Sequence, residues 1–335
     1  MVATRPSKRS HRKAEVGSSS PTGESHPPEK GNASIHRAGH WAEKIFIGPS
    51  GLRVPWRLLI AICLFGVILG VLFIPAVSIP AIRAVLPQGK NVVITPALLL
   101  FSDGVQSLAI VLTALVMCSI ERRSFADYGA PIKEAFGKHF WQGMPFGFAM
   151  ITMLIGLIVI SHGFVLGRPA LDASVAVQYA LLYLLGFVFV GIFEEFCFRG
   201  YFQATLGSAI GFWPAALILA VVFGAIHLGN SGEAAFGALT AGVFGLVCAF
   251  SLKRTGSIWF AMGMHTGWDW GETYFYSVPD SGVQASGHLF NSSFHGPNWL
   301  TGGTVGPEAS IFVLLILAIA AALIHFMFPG KRTEP

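Results

Sequence analysis

Charge is what this chain has least of. Charged residues make up 12% of its 335 positions against 53% apolar ones, and the mean hydropathy is +0.63. A soluble chain of this length needs more polar surface, so the composition points to a bilayer and one polytopic domain. Cysteine is also sparse. Cys63, Cys118, Cys197 and Cys248 each lie in an apolar segment and none forms a C-x-x-C pair, which argues against a disulfide framework or a thiolate metal site. There is no H-E-x-x-H helix, no G-x-S-x-G elbow and no evident cysteine nucleophile with a nearby histidine, so covalent nucleophilic chemistry is the weaker reading. No convincing internal repeat supports an inverted-repeat transporter. The net charge of +5 sits in the N-terminal part and the short loops, where it sets membrane orientation, and no nucleic-acid partner is expected.

No apolar run follows Arg5, Lys8, Arg9, Arg12 and Lys13 closely enough for a signal peptide. Residues 1–52 therefore read as a retained, disordered, basic cytoplasmic tail, 53–330 as the membrane domain, and 331–335 as a second short tail. The expected fold class is all-α, a polytopic bundle of about eight membrane helices. The spans are expected near 57–75, 97–119, 141–163, 176–198, 211–228, 234–252, 257–276 and 309–328.

Loop charge supports that count. Arg53, Arg57, Arg122, Arg123, Lys133, Lys138, Arg199, Lys253, Arg254, Lys331 and Arg332 fall on one side, while Arg83, Lys90 and Arg168 fall on the other. Both termini are thus expected in the cytoplasm, and the prokaryotic look of the loops suggests a bacterial inner membrane. The stretch 277–308 lacks Lys and Arg, is rich in turn residues, and reads equally as a lid or a connection. Trp268, Trp270, Tyr274 and Tyr276 read as interfacial anchors, and Asp103 as an acid packed against a polar neighbour.

Ionisable residues inside these spans cost several kcal/mol unless paired or hydrated. Glu194, Glu195 and Arg199 interrupt the fourth span. On a helix Glu195 and Arg199 stand at i and i+4 and can pair, which leaves Glu194 about 100° away and available for chemistry. His227 ends the fifth span. A lone histidine there is usually structural and gains meaning only through its company. The seventh span supplies it, with His265 and Asp269 one turn apart.

Glu194, His227, His265 and Asp269 fit two chemistries. A Glu near a His can deprotonate water while donors opposite stabilise a tetrahedral oxyanion. Alternatively the same four could ligate zinc with water in the open position. Depth is an obstacle to either. At 1.5 Å per residue, Glu194 lies ~27 Å along its helix, His227 ~24 Å and His265 ~12 Å, so straight helices would hold them apart. Tilts, a water-filled cavity and an extension of the fourth helix to about Leu206 are needed to bring them together.

Glu194-Glu195-x-x-x-Arg199, Phe223-x-x-x-His227 and His265-x-x-x-Asp269, in that order on successive helices, resemble the three motifs of the CPBP family, the CAAX proteases and bacteriocin-processing proteins. The resemblance is strongest over 175–275, and Glu121-Arg122-Arg123 to Tyr128-Gly129 is also similar to bacterial members. It implies an intramembrane endopeptidase, like the type II CAAX prenyl endopeptidase, acting on a membrane-associated or lipidated peptide or protein in contact with membrane lipid. Glu194 and His227 would activate water, Glu195 and Arg199 would hold the geometry, and His265 and Asp269 would stabilise the oxyanion or ligand. Many relatives carry Asn at the place of Asp269; an ionised Asp accepts hydrogen bonds and cannot donate one. The same family includes self-immunity and partner-binding proteins, so a non-proteolytic scaffold is the alternative reading, with a proton-coupled transporter third.

Overall fold

The computed structural model describes residues 45–48, 51–87 and 92–329. The expected tails lie outside them, except for the last residues before the first helix, where Ile47–Gly48 pairs antiparallel with Gly51–Leu52. Eight long helices follow among the described residues: α1 Val54–Ala76, α2 Pro96–Glu121, α3 Lys138–Ile160, α4 Ala173–Ile210, α5 Phe212–His227, α6 Ala235–Thr255, α7 Trp259–Asp269 and α8 Phe312–Met327. Five, α1 to α4 and α6, are long and apolar enough to cross a membrane. The protein is an all-α membrane bundle, and Val71, Ile74, Val221 and Phe326 point outward, as side chains facing lipid do.

The expected spans agree with these helices to within about four residues at every end but one, once the π-helical segment Trp270–Phe275 that continues α7 is counted with that helix. The exception is α4, which passes the expected end at 198 and the extended one at Leu206 to reach Ile210. Its turns widen to a π-helix over Phe196–Phe202, directly after the two glutamates. Arg199 therefore belongs to a helix interior and not to a turn. Arg57 is likewise no loop charge. It pairs with Glu121, which also accepts a hydrogen bond from the Tyr201 hydroxyl at 2.6 Å, so α1, α2 and α4 are joined at one end.

Close approach of α3 and α7 sets the depth of the bundle's centre. Gly143 and Gly147 on α3 face Gly263 and Gly267 on α7, and a Cβ on any of the four would meet a main-chain carbonyl of the other helix. In a bilayer, where association draws nothing from expelling water, small residues four apart let backbones touch and gain dispersion contact. Around this crossing Met150, Ile151, Leu154, Phe260, Met264 and Trp268 form the largest buried cluster.

The stretch after α7 is a packed cap. Gln284–Ala285 pairs in parallel with Val93–Ile94, and Ser293–Phe294 pairs antiparallel with Phe164–Val165. Asn230 Nδ2 donates to the Ser281 carbonyl at 2.8 Å, which ties the end of α5 to the cap. The aromatic anchors are internal for the same reason. Trp268, Trp270, Tyr274 and Tyr276 lie under the cap or between helices, and each polar tip finds a partner: Glu308, Ala180, Ala176 and Thr152 respectively. A buried indole or phenol needs such a partner, and the cap supplies the cover that sequence composition alone assigned to headgroups.

Candidate active site

A cavity of about 230 Å³ lies among the helices and is lined by Glu194, His227, His265 and Asp269 together with Asp103, Asp280 and Glu308. It is well above the ~10–15 Å³ that one water occupies. The expected depth obstacle is overcome by the long α4, by the shortness of α5 and by the glycine crossing that seats α7.

Glu195 is the fixed point of the site. It is fully buried, and its Oε1 accepts from Arg199 Nη1 at 3.0 Å and from His265 Nδ1 at 2.9 Å. Arg199 in turn donates Nε–H to the Gly245 carbonyl at 3.3 Å and lies 4.3 Å from the centre of the Phe223 ring. The ring, the carboxylate and the carbonyl offset much of the cost of the buried cation, while its Nη2 has no hydrogen-bond partner among the described residues. Gly245 has to be glycine here, because a Cβ would occupy the place of the guanidinium.

With Nδ1 held by Glu195, His265 turns Nε2 toward two more carboxylates. Glu194 Oε2 and Asp269 Oδ2 each stand 3.6 Å from it. Glu194 is half-buried, and its Oε2 makes no hydrogen bond among the described residues. His227 is fixed differently: its Nδ1 lies 2.7 Å from the Phe223 carbonyl. A carbonyl only accepts, so Nδ1 carries the proton, and in the neutral ring Nε2 is the acceptor. The structure therefore places Glu194, His227, His265 and Asp269 on one cavity, with Glu195 and Arg199 behind His265. The ionisable neighbour nearest Glu194 Oε2 in the ion-pair geometry is His265, at 3.6 Å.

Asp103 accepts from Ser102 Oγ at 2.7 Å and Gln106 Nε2 at 3.2 Å, the polar packing expected of it, and it also lines the cavity. The ligating atoms of Glu194, His227, His265 and Asp269 do not include three within 4.8 Å of one another among the described residues, so the set is not drawn together as a zinc shell. Asp280 and Glu308 were not among the expected site residues. Burial and the neighbouring Glu308 carboxylate push the Asp280 carboxyl up to about 7. Their position could not be read from a loop sequence. Glu272 was missed as well, although it follows His265 and Asp269 at the i+7 and i+3 spacing of one helix face.

Both motif pairs are followed by a π-helical segment, Phe196–Phe202 after Glu194-Glu195 and Trp270–Phe275 after Asp269. Such wide turns cost hydrogen-bond geometry and occur mostly at functional sites. No curated protein matches the chain. A family profile described as Type II CAAX prenyl endopeptidase Rce1-like matches residues 176–271, the stretch that carries all six motif residues. On that match and this arrangement of motifs, residues 176–271 are similar to the Rce1-like family, whose description is that of a type II CAAX prenyl endopeptidase.

Proposed function

We propose that the cavity hydrolyses a peptide bond of a membrane-associated or lipidated polypeptide, with Glu194 as the base that activates water. The observation that carries this reading is Glu194, which lines a polar cavity and whose Oε2 lies 3.6 Å from His265 Nε2 with no hydrogen bond among the described residues. Water bound there loses a proton to Glu194 as it attacks the scissile carbonyl. His227, with Nδ1 committed to Phe223, presents Nε2 as a second acceptor that orients the same water. His265 acts as the imidazolium: Nδ1–H donates to Glu195, which holds and stabilises the charged ring, and Nε2–H donates to the oxyanion. Asp269, one turn away, is an acceptor and cannot donate when ionised, so its role is to orient His265. The proton on Glu194 then passes to the leaving amine.

We take water activation as metal-free, with Glu194 Oε2 and Asp269 Oδ2 each 3.6 Å from His265 Nε2 and no third ligating atom grouped with them among the described residues. The basic residues of the remaining loops support the reading that both termini are cytoplasmic and the cap lies on the opposite face, in a membrane we take to be a bacterial inner membrane. The test is cleavage of quenched membrane peptides and lipidated C-terminal peptides by detergent-purified protein. Glu194→Gln should fold like wild type and lose at least the ~100-fold that a general base contributes. Full activity in that variant would remove Glu194 from the mechanism, and stoichiometric zinc in the active preparation would overturn the metal-free reading.

A further inference from the structure

Beside the cavity three carboxylates from two elements come together, and two of them, Asp280 and Glu308, line it. Glu272 comes from the π segment that continues α7, and Asp280 and Glu308 come from the two ends of the cap. One oxygen of each lies within 4.8 Å of the others. Two of these side chains are held in place by donors. Asp280 Oδ2 accepts from Thr273 Oγ1 at 2.9 Å. Glu308 Oε1 accepts from Trp268 Nε1 at 3.0 Å, and its Oε2 accepts from the Ser281 amide at 3.0 Å and hydroxyl at 2.6 Å.

Glu272 differs. It is fully buried, it points into this cluster, and neither of its carboxyl oxygens has a hydrogen-bond partner among the described residues. Leaving such a group uncompensated costs several kcal/mol. The cap offers no relief of its own, because 277–308 contains no Lys or Arg. The wall around Glu272 is shaped by a glycine. Gly306 has φ 108°, and a Cβ there would strike the Pro279 carbonyl and stand 3.2 Å from Glu272 Oε1. Main chain thus approaches the carboxylate as closely as only glycine allows.

We propose that Glu272, Asp280 and Glu308 bind one oxygen-seeking divalent cation of the Ca²⁺ type, which fastens the cap to the end of α7. Oxygens on opposite sides of a Ca²⁺ shell are roughly 4.6–5.2 Å apart, so a single ion reaches all three carboxylates with little rearrangement. Asp280 and Glu308 line the cavity, which gives the ion a route in, and water in the cavity completes the shell. The ion would offset two of three crowded negative charges, one of which, Glu272, stands three residues beyond Asp269. This site stands on its own geometry and does not depend on the hydrolytic reading.

The test uses the full chain in detergent, stripped with a chelator. Tb³⁺ is titrated and its luminescence read on excitation of tryptophan, since the Trp268 indole touches Glu308; Ca²⁺ then displaces it, and Tm is followed with Ca²⁺ or Mg²⁺ added. Wild type should bind one ion per chain and gain a saturable rise in Tm. Glu272→Gln and Glu308→Gln should weaken binding at least tenfold, whereas Glu194→Gln and the distant Glu134→Gln should bind as wild type does. The luminescence reads binding even where a variant is less stable. Absence of saturable Tb³⁺ or Ca²⁺ binding in folded wild type would overturn the proposal. So would binding lost in Glu194→Gln but retained in Glu272→Gln. A Glu272→Gln variant that matches Ca²⁺-free wild type plus a gain in Tm, with wild type blind to Ca²⁺, would mean that these carboxyls share protons instead.

Discussion

Replacing Arg199 with alanine strikes the group on which the site's geometry depends. Arg199 and Glu195 are 3% and 0% exposed and 3.0 Å apart, so the substitution strands a carboxylate in an apolar interior. Breaking one side of a buried pair costs about 3–5 kcal/mol, and the lost stacking on Phe223 at 4.3 Å adds ~0.5–2 kcal/mol. At roughly 2–4 °C per kcal/mol for a large domain, Tm should fall by about 7–28 °C. The decisive comparison is a double-mutant cycle read by thermal unfolding in detergent. Glu195→Gln keeps an acceptor for His265 Nδ1 but removes the charge, so Arg199→Ala combined with Glu195→Gln should be more stable than the sum of the two single effects by ~1–3 kcal/mol. An Arg199→Ala protein that melts with wild type, or a strictly additive double variant, would refute the claim that Arg199 compensates Glu195.

Other expectations follow from the helix contacts and the loops. Gly147→Ala puts a methyl against the Met264 carbonyl and Gly267→Ala one against that of Met144, so each should cost ~1–3 kcal/mol and depress activity by displacing His265, whereas Gly156→Ala, with open space around it, should leave both Tm and cleavage unchanged. The turn before α3 carries a pH signature. Asp127 accepts from the Ser124 amide at 2.7 Å and hydroxyl at 2.9 Å, and the amide bond above all holds its carboxyl below the ordinary value of 3.8. Its contribution is thus present above that value and lost as pH falls through the lowered one. Wild type should lose stability on acidification below about pH 4, while Asp127→Ala should start lower and lack that component in a Tm-against-pH series.

The apolar runs made the helices legible, because a bilayer leaves few other uses for twenty apolar residues in a row. The motif residues were legible for the converse reason: Glu194, His227, His265 and Asp269 are costly where they stand. What stayed hidden is how the backbone departs from regular helix. Nothing in Phe196–Phe202 announces a π turn, and the four glycines of the α3–α7 crossing are ordinary small residues until two helices are laid together. The cap was hidden too. Its polar, glycine-rich composition reads as loop, and only long-range pairing of Val93–Ile94 and Phe164–Val165 with it brings Asp280 and Glu308 onto the cavity. The aromatic residues under it misled for that reason, since an anchor in the headgroups and a buried ring with one bonded tip look alike in sequence.

The unequal helix lengths bear on the membrane itself. α4, with 38 residues, rises about 57 Å, nearly twice a hydrocarbon core of ~30 Å, while the 16-residue α5 rises only about 24 Å. Lipid beside α5, against Leu217, Val221 and Val222, has to thin to meet it, at fractions of a kcal/mol per Å. His227 ends that short helix, so thinning brings headgroups and water toward the residue that most needs them. Acyl-chain length thereby becomes a control on hydration of the cavity, and a membrane thickened by longer lipids would work against the site without touching any of its side chains.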